Sequence, residues 1–132
     1  MWVSRLIPQD VHHSASSGWI ERYITTGNLL VAPALLLVEV AASVSRQRGQ
    51  GALARSIVGD LSTTDELQLV PLDAALLQAT VNTAIDLQLR SGDAFYVAVA
   101  HQLGVPLVSW DREQLARAST IITVFSPDTY PF

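Results

Sequence analysis

The stretch LLVAPALLLVEVAASV, residues 29–44, decides the fold class of this chain. Its first four residues form a short apolar run that is typical of a buried strand. Pro33 can then occupy the first turn of a helix without losing a useful hydrogen-bond donor. Apolar side chains recur at helical spacing from Leu35 to Val44, and Gly49 ends the pattern. A strand that leads directly into a helix is the repeating unit of an α/β fold.

The same alternation of strand and helix patterns continues along the chain. Helical patterns cover residues 11–26, 53–61, 74–89, 93–100 and 112–118, with a break expected at residues 91–92. Short apolar runs predict strands over residues 67–71, 106–110 and 121–125, and residues 126–132 are expected to be irregular. Strands separated by helices need crossover connections, so we expect a mostly parallel sheet with helices on both faces.

The composition indicates a single folded domain over residues 1–132. Apolar residues make up 49% of the chain and charged residues 15%, with a mean hydropathy of +0.31, which excludes a disordered protein. A core of this size needs neither disulfides nor a structural metal. Cysteine is absent, which excludes a thiolate metal site and a cysteine nucleophile and suits the reducing cytoplasm.

The charge balance restricts how the chain could bind nucleic acid. The net charge is −4, and every basic residue apart from histidine is an arginine. A broad basic face is therefore excluded, although a nuclease remains open if bound metal ions supply positive charge locally. The apolar run at the N-terminus is too short for a signal peptide or a membrane span, so we expect a soluble protein with no membrane partner.

Three carboxylates lie where an open parallel sheet binds ligands, near the carboxyl ends of strands and the adjoining helices. Asp111 directly follows a predicted strand, Asp93 opens a helix, and Glu39 lies about two turns into another. Taken singly, Asp93 is an ordinary helix cap or first-turn acid, and Asp111 is an N-cap whose capping box Gln114 completes. Glu39 is less ordinary, because a carboxylate among apolar residues is costly without a cation or donor. Together the three carboxylates would suit Mg²⁺ or Mn²⁺ and phosphodiester hydrolysis.

Three segments also resemble a known family. Residues 29–41, residues 91–100 (SGDAFYVAVA) and residues 106–111 (PLVSWD) are similar, in order and spacing, to the successive motifs of PIN domains. The resemblance is closest to VapC-type toxin ribonucleases. It implies a three-layer α/β/α sandwich with a mostly parallel central sheet, and an endoribonuclease that uses Mg²⁺ or Mn²⁺ to activate water. It also implies a homodimer that a cognate antitoxin inhibits.

The resemblance assigns roles to individual residues. Glu39, Asp93 and Asp111 match the second, third and fourth acidic residues of the family's metal site, which makes them the predicted catalytic and metal-binding residues. Ser109 matches the small hydroxyl residue two positions before the last aspartate and is expected to form a hydrogen bond within the acidic cluster. Arg90 precedes the second motif and is either a contact for RNA phosphate or an antitoxin carboxylate, or a plain surface arginine.

The N-terminus departs from the family pattern. Members usually open with a hydrophobic strand that ends in an aspartate, followed two residues later by Ser or Thr, and residues 2–6 resemble the helix that comes next. The first strand and its acidic residue are therefore expected to be missing from residues 1–132. We favour a start downstream of the true one over a naturally shortened protein, because losing a central strand would remove burial comparable to the whole stability.

Two functional hypotheses follow, from different classes. The first is a metal-dependent ribonuclease toxin, and the alternative is a catalytically incomplete PIN-fold binding protein that acts through antitoxin or dimer contacts. A flavodoxin-like domain would share the layered architecture. It is disfavoured because no glycine-rich phosphate loop follows a strand.

Overall fold

The computed structural model describes the backbone of residues 1–132 and every side chain except those of Gln47 and Arg48. The helices are α1 (Trp2–Leu6), α2 (His13–Thr25), α3 (Leu35–Arg48), α4 (Gly51–Thr63), α5 (Ala74–Leu87), α6 (Ser91–Leu103) and α7 (Arg112–Ala118). The strands are β1 (Leu30–Pro33), β2 (Leu67–Val70), β3 (Leu107–Val108) and β4 (Val124–Phe125). The chain divides into two compact units, Met1–Leu69 and Val70–Phe132.

The first unit combines a two-stranded sheet with four helices. Strands β1 and β2 are neighbours in this sheet, α3 packs against α4, and α1 contacts both α2 and α3. The apolar pattern that predicted α3 marks its buried face, since Leu36, Val40 and Val44 are almost fully enclosed. The helix ends at Gly49, whose backbone is left-handed with φ of +58°, a conformation that glycine adopts without a steric cost.

The second unit is built around a parallel pair of short strands. Strands β3 and β4 pair in parallel, with Leu107 opposite Val124 and Val108 opposite Phe125. Helices α5 and α6 pack together, and α6 buries small side chains such as Ala94 and Ala98. One cluster of buried apolar residues in this unit consists of Val97, Ala100, Leu107 and Ala118. The pairing of parallel strands that alternate with helices confirms the predicted α/β class.

Strands β3 and β4 are shorter than the apolar runs predicted. The Ile121 and Ile122 N–H groups both donate to the Ala118 carbonyl at 3.0 Å, so they close the end of α7 and are not available for strand pairing. Only Val124 and Phe125 remain as strand β4. An apolar run does not reveal this competition, because the helix and the strand both bury apolar side chains.

Helix boundaries also differ from the predictions, most clearly at α3, α5 and α6. Pro33 is the last residue of β1, where its missing N–H does no harm, and α3 begins at Leu35. Helix α5 ends at Leu87 because Gln88 adopts a left-handed conformation with φ of 53°. The break expected at residues 91–92 lies earlier, since Ser91 is already the first residue of α6. Residues 126–132 are irregular, as expected.

No helix in the described part of the chain is both long enough and apolar enough to span a membrane.

Candidate active site

Asp111 is placed by the junction between β3 and α7. It is the N-cap of α7, and its Oδ1 accepts hydrogen bonds from the Glu113 N–H at 2.9 Å and the Gln114 N–H at 3.0 Å. The N-cap predicted from the sequence is therefore present. The bond from the Gln114 N–H is the main cause that lowers the pKa of Asp111, and the Arg90 guanidinium lowers that pKa further against an opposing effect of burial.

Gln114 does not complete the predicted capping box. Its side chain is buried, and its Nε2 donates at 3.3 Å to the backbone carbonyl of Asp93. The Asp111 N–H, which a capping box would assign to Gln114, donates instead to the Ser109 Oγ at 3.1 Å. The buried amide thus links the start of α7 to the first turn of α6, and the Ser109 hydroxyl holds the backbone of Asp111.

Asp93 lies in the first turn of α6 and does not cap that helix. The N-cap of α6 is Arg90, whose side chain makes no capping hydrogen bond. Burial raises the pKa of Asp93, and the negative charge of Asp111 raises it further, although the Arg90 guanidinium acts in the opposite direction. The charged form of Asp93 is therefore disfavoured relative to an exposed aspartate.

Arg90 contacts both aspartates with one guanidinium group. Its Nε donates to the Asp93 Oδ2 at 3.1 Å, and its Nη2 donates to the Asp111 Oδ2 at 2.6 Å. The side chain of Arg90 is 72% exposed, whereas those of Asp93 and Asp111 are 25% and 34% exposed. The two carboxylates therefore share one cation at the edge of the second unit, beyond the carboxyl end of β3.

Glu39 belongs to the first unit. It lies on α3, half-buried, where its charge and that of Asp10 raise the pKa of the Met1 α-amino group against the larger lowering effect of burial. Of the predicted site residues, Asp93, Asp111, Ser109 and Arg90 all belong to the second unit and are joined there by hydrogen bonds. Among the described side chains, no group of three or more His, Cys, Asp or Glu residues forms a cluster that could hold a metal ion.

The donor chemistry of the aspartate pair suits a hard divalent cation. The Oδ2 atoms of Asp93 and Asp111 contact two nitrogens of one guanidinium group, so both carboxylates lie beside the same positive charge. Carboxylate oxygens are the preferred protein ligands of Mg²⁺ and Mn²⁺, which usually keep several waters beside one or two such ligands. Asp93 and Asp111 would therefore be the residues of this unit that hold the ion.

The contacts of Arg90 could be only partly anticipated from the sequence. The spacing of three residues between Arg90 and Asp93 places the two side chains on one face of a helix start, which signals an ion pair. The contact with Asp111 joins residues 21 positions apart and has no local signal. The hydrogen bond from Gln114 to the Asp93 carbonyl also joins residues 21 positions apart and has no local signal.

Residues 2–120 match the PIN domain family, so the chain belongs to that family. The predicted resemblance and the predicted PIN-like α/β fold are thereby confirmed. A chain in the structure of FitAB bound to IR36 DNA fragment has a similar fold, with a TM-score of 0.67 and 15% sequence identity. The similarity covers 99% of the present chain and 93% of that chain. No curated protein has a sequence that matches this chain.

Proposed function

We propose that this PIN-domain protein is a metal-dependent endoribonuclease, the VapC-type toxin of a toxin–antitoxin pair, and that it uses Mg²⁺ or Mn²⁺. The observation that carries the proposal is the pair of aspartates in the second unit, whose Oδ2 atoms both contact the Arg90 guanidinium beyond β3. In an open α/β fold this edge is where ligands bind. PIN-family membership makes a nuclease the reaction class that best fits two carboxylates at this position.

The charges of the chain support a role for metal in holding the substrate. An RNA backbone is strongly negative, and this chain has a net charge of −4 with arginine as its only strong base. A divalent ion bound by the aspartates would neutralise phosphate charge and activate water for hydrolysis. Asp93 and Asp111 would hold that ion, and the family resemblance gives Glu39 of the first unit the same predicted role.

The proposal includes two protein partners. The resemblance to VapC-type toxins supports a homodimer and a cognate antitoxin, and it supports action on RNA in the cytoplasm. The fold similarity to FitAB, whose structure contains a DNA fragment, agrees with a protein that works in an assembly with nucleic acid. An antitoxin segment with a basic side chain would suit the Asp93 and Asp111 carboxylates, which already attract an arginine within this chain.

The first test measures cleavage of a pool of structured RNAs by the purified protein, with Mg²⁺ or Mn²⁺ and with EDTA. We expect cleavage that needs the metal and that Asp93→Asn reduces by about hundredfold or more, because the variant removes one charged ligand. Asp86→Asn is the matched control, since Asp86 is an exposed acid on α5 and the variant changes the net charge equally. Circular dichroism would verify that both variants are folded.

Cleavage that persists in folded Asp93→Asn would contradict the proposed site. Absence of cleavage from folded wild-type protein, with several RNA pools and both metals, would favour the alternative function. That alternative is a PIN-fold binding protein that acts through antitoxin or dimer contacts. One observation favours it, namely that the Arg90 guanidinium already contacts both aspartates.

A further inference from the structure

We infer that Arg90 is an internal counter-cation which holds the two aspartates together and competes with the divalent ion for their Oδ2 atoms. The inference rests on the proposed function, because it assumes that Asp93 and Asp111 hold metal. It assigns to Arg90 a regulatory contact within the chain, in place of the contact with RNA or antitoxin that its sequence position suggested.

The competition follows from which oxygen of each carboxylate is used. The Oδ1 of Asp111 accepts two backbone N–H groups at the start of α7, so that oxygen is committed to the helix. Its Oδ2 is the oxygen that remains for a cation, and the Arg90 Nη2 lies 2.6 Å from it. The Arg90 Nε contacts the Oδ2 of Asp93 in the same way. A metal ion that binds both Oδ2 atoms must therefore displace the guanidinium.

Arg90 can move away without loss of core packing. Its side chain is 72% exposed, and ion pairs this open to solvent are weak because water screens them. A guanidinium keeps its positive charge in proteins, so the side chain leaves as a cation. Displacement thus means rotation of a charged side chain into solvent, driven by repulsion from the arriving divalent ion.

In the absence of metal, the two aspartates need another cation beside them. Asp93 and Asp111 both contact one guanidinium group, and their side chains are only 25% and 34% exposed. Another arginine of this unit, Arg117, pairs with Glu113 and the Leu87 carbonyl. Arg90 is the arginine seen in contact with both aspartates, and its removal should leave the two carboxylates repelling each other.

The experiment compares Arg90→Gln with Arg112→Gln, in which an exposed arginine of the same unit is lost with the same change in net charge. Mn²⁺ binding would be measured by isothermal titration calorimetry, and thermal unfolding with and without Mn²⁺. We expect Arg90→Gln to bind Mn²⁺ about three- to tenfold more tightly than Arg112→Gln, because a competing cation is removed. Arg90→Lys keeps a competing charge and should bind more like the wild type.

The unfolding data separate competition from a merely structural role. Without metal, Arg90→Gln should unfold at a lower temperature than the wild type, because the two carboxylates lose their shared cation. Saturating Mn²⁺ should then raise its unfolding temperature by more than it raises that of the wild type. A structural arginine would lower the unfolding temperature in both conditions and leave the metal affinity unchanged.

Two outcomes overturn the inference, and they differ in what they say of the proposed function. If Arg90→Gln and Arg112→Gln bind Mn²⁺ equally while Asp93→Asn loses binding, the metal site is real and Arg90 does not compete for it. If wild type, Arg90→Gln and Arg112→Gln all fail to bind Mn²⁺, the metal site itself is wrong and the proposed function falls with the inference. Binding by Arg90→Gln alone would support both.

Discussion

Helices α6 and α7 each have an aspartate at or near their first turn, and the two aspartates have different structural roles. Asp111 is the N-cap of α7 and accepts two backbone N–H groups, which lower its pKa. Asp93 lies within the first turn of α6, caps nothing there, and has a pKa raised by burial. One carboxylate stabilises the helix that follows it, whereas the other is held in place although burial opposes its charge.

This difference shows which aspartate gives the cleaner test of chemistry. A carboxylate whose charge is disfavoured by burial and which caps no helix is a stronger functional candidate than one that caps a helix. Asp93 meets that description, whereas Asp111 combines a structural role through Oδ1 with a cation contact through Oδ2. Variants at position 111 should therefore separate the two roles.

The largest effect is expected from two variants of Asp111. Both Asp111→Asn and Asp111→Ala should lose RNA cleavage by about hundredfold or more, because neither offers a charged ligand. Only Asp111→Ala should lose the cap, at a cost of about 1 kcal/mol, since an asparagine oxygen also accepts backbone N–H groups. Urea unfolding would measure this loss of free energy, and thermal unfolding should show a midpoint lower by about 3–6 °C. Equal destabilisation by both variants would show that the cap depends on charge.

A smaller effect is expected at Ser109. Its hydroxyl accepts the Asp111 N–H, so Ser109→Ala leaves a half-buried donor without its partner and should destabilise the protein by about 0.5–1 kcal/mol. Ser119→Ala is the control, because that exposed hydroxyl bonds only the Ala116 carbonyl of its own helix turn. If the two variants were equally stable by urea unfolding, the Ser109 hydroxyl would have no part in holding Asp111.

The smallest effect is the pH dependence of stability, which should have opposite signs for the two aspartates. The raised pKa of Asp93 means that its contribution to stability is full below the unfolded pKa, about 3.9, and is lost as the pH rises through the folded value. The lowered pKa of Asp111 means that its contribution is present above about pH 3.9 and is lost as the pH falls through the folded value.

Urea unfolding between about pH 3 and pH 6 would test this pair of signs. The stability of the wild type relative to Asp93→Asn should fall as the pH rises, and relative to Asp111→Asn it should rise. Each change should amount to roughly a few tenths of a kcal/mol, because solvent screens both carboxylates. Slopes of the same sign would contradict the assigned environments.

Local patterns predicted the parts of the structure that local interactions determine. Helix α7 has the predicted bounds, and the predicted cap at Asp111 is present, because an aspartate before a helical pattern bonds N–H groups two or three residues away. The resemblance to PIN motifs also identified the candidate residues Asp93 and Asp111, because each motif is a short continuous segment.

Interactions between distant segments could not be predicted in this way. The Arg90 bond to Asp111 and the Gln114 bond to the Asp93 carbonyl each join residues 21 positions apart. They exist because the starts of α6 and α7 come together, which depends on the packing of the whole second unit. The short length of β4 has a similar origin, because the Ala118 carbonyl takes the N–H groups of the predicted strand.

The division of labour within the Asp111 carboxylate has an evolutionary consequence. If the proposed ribonuclease activity were lost in a descendant, aspartate or asparagine at position 111 would still be favoured, because α7 would still need its cap. Position 93 has no such constraint, since a neutral residue there would remove a charge that partial burial disfavours. Under the proposed function, an aspartate at position 111 in relatives of this chain therefore says little about activity, whereas replacement at position 93 would mark the lineages that lack the reaction.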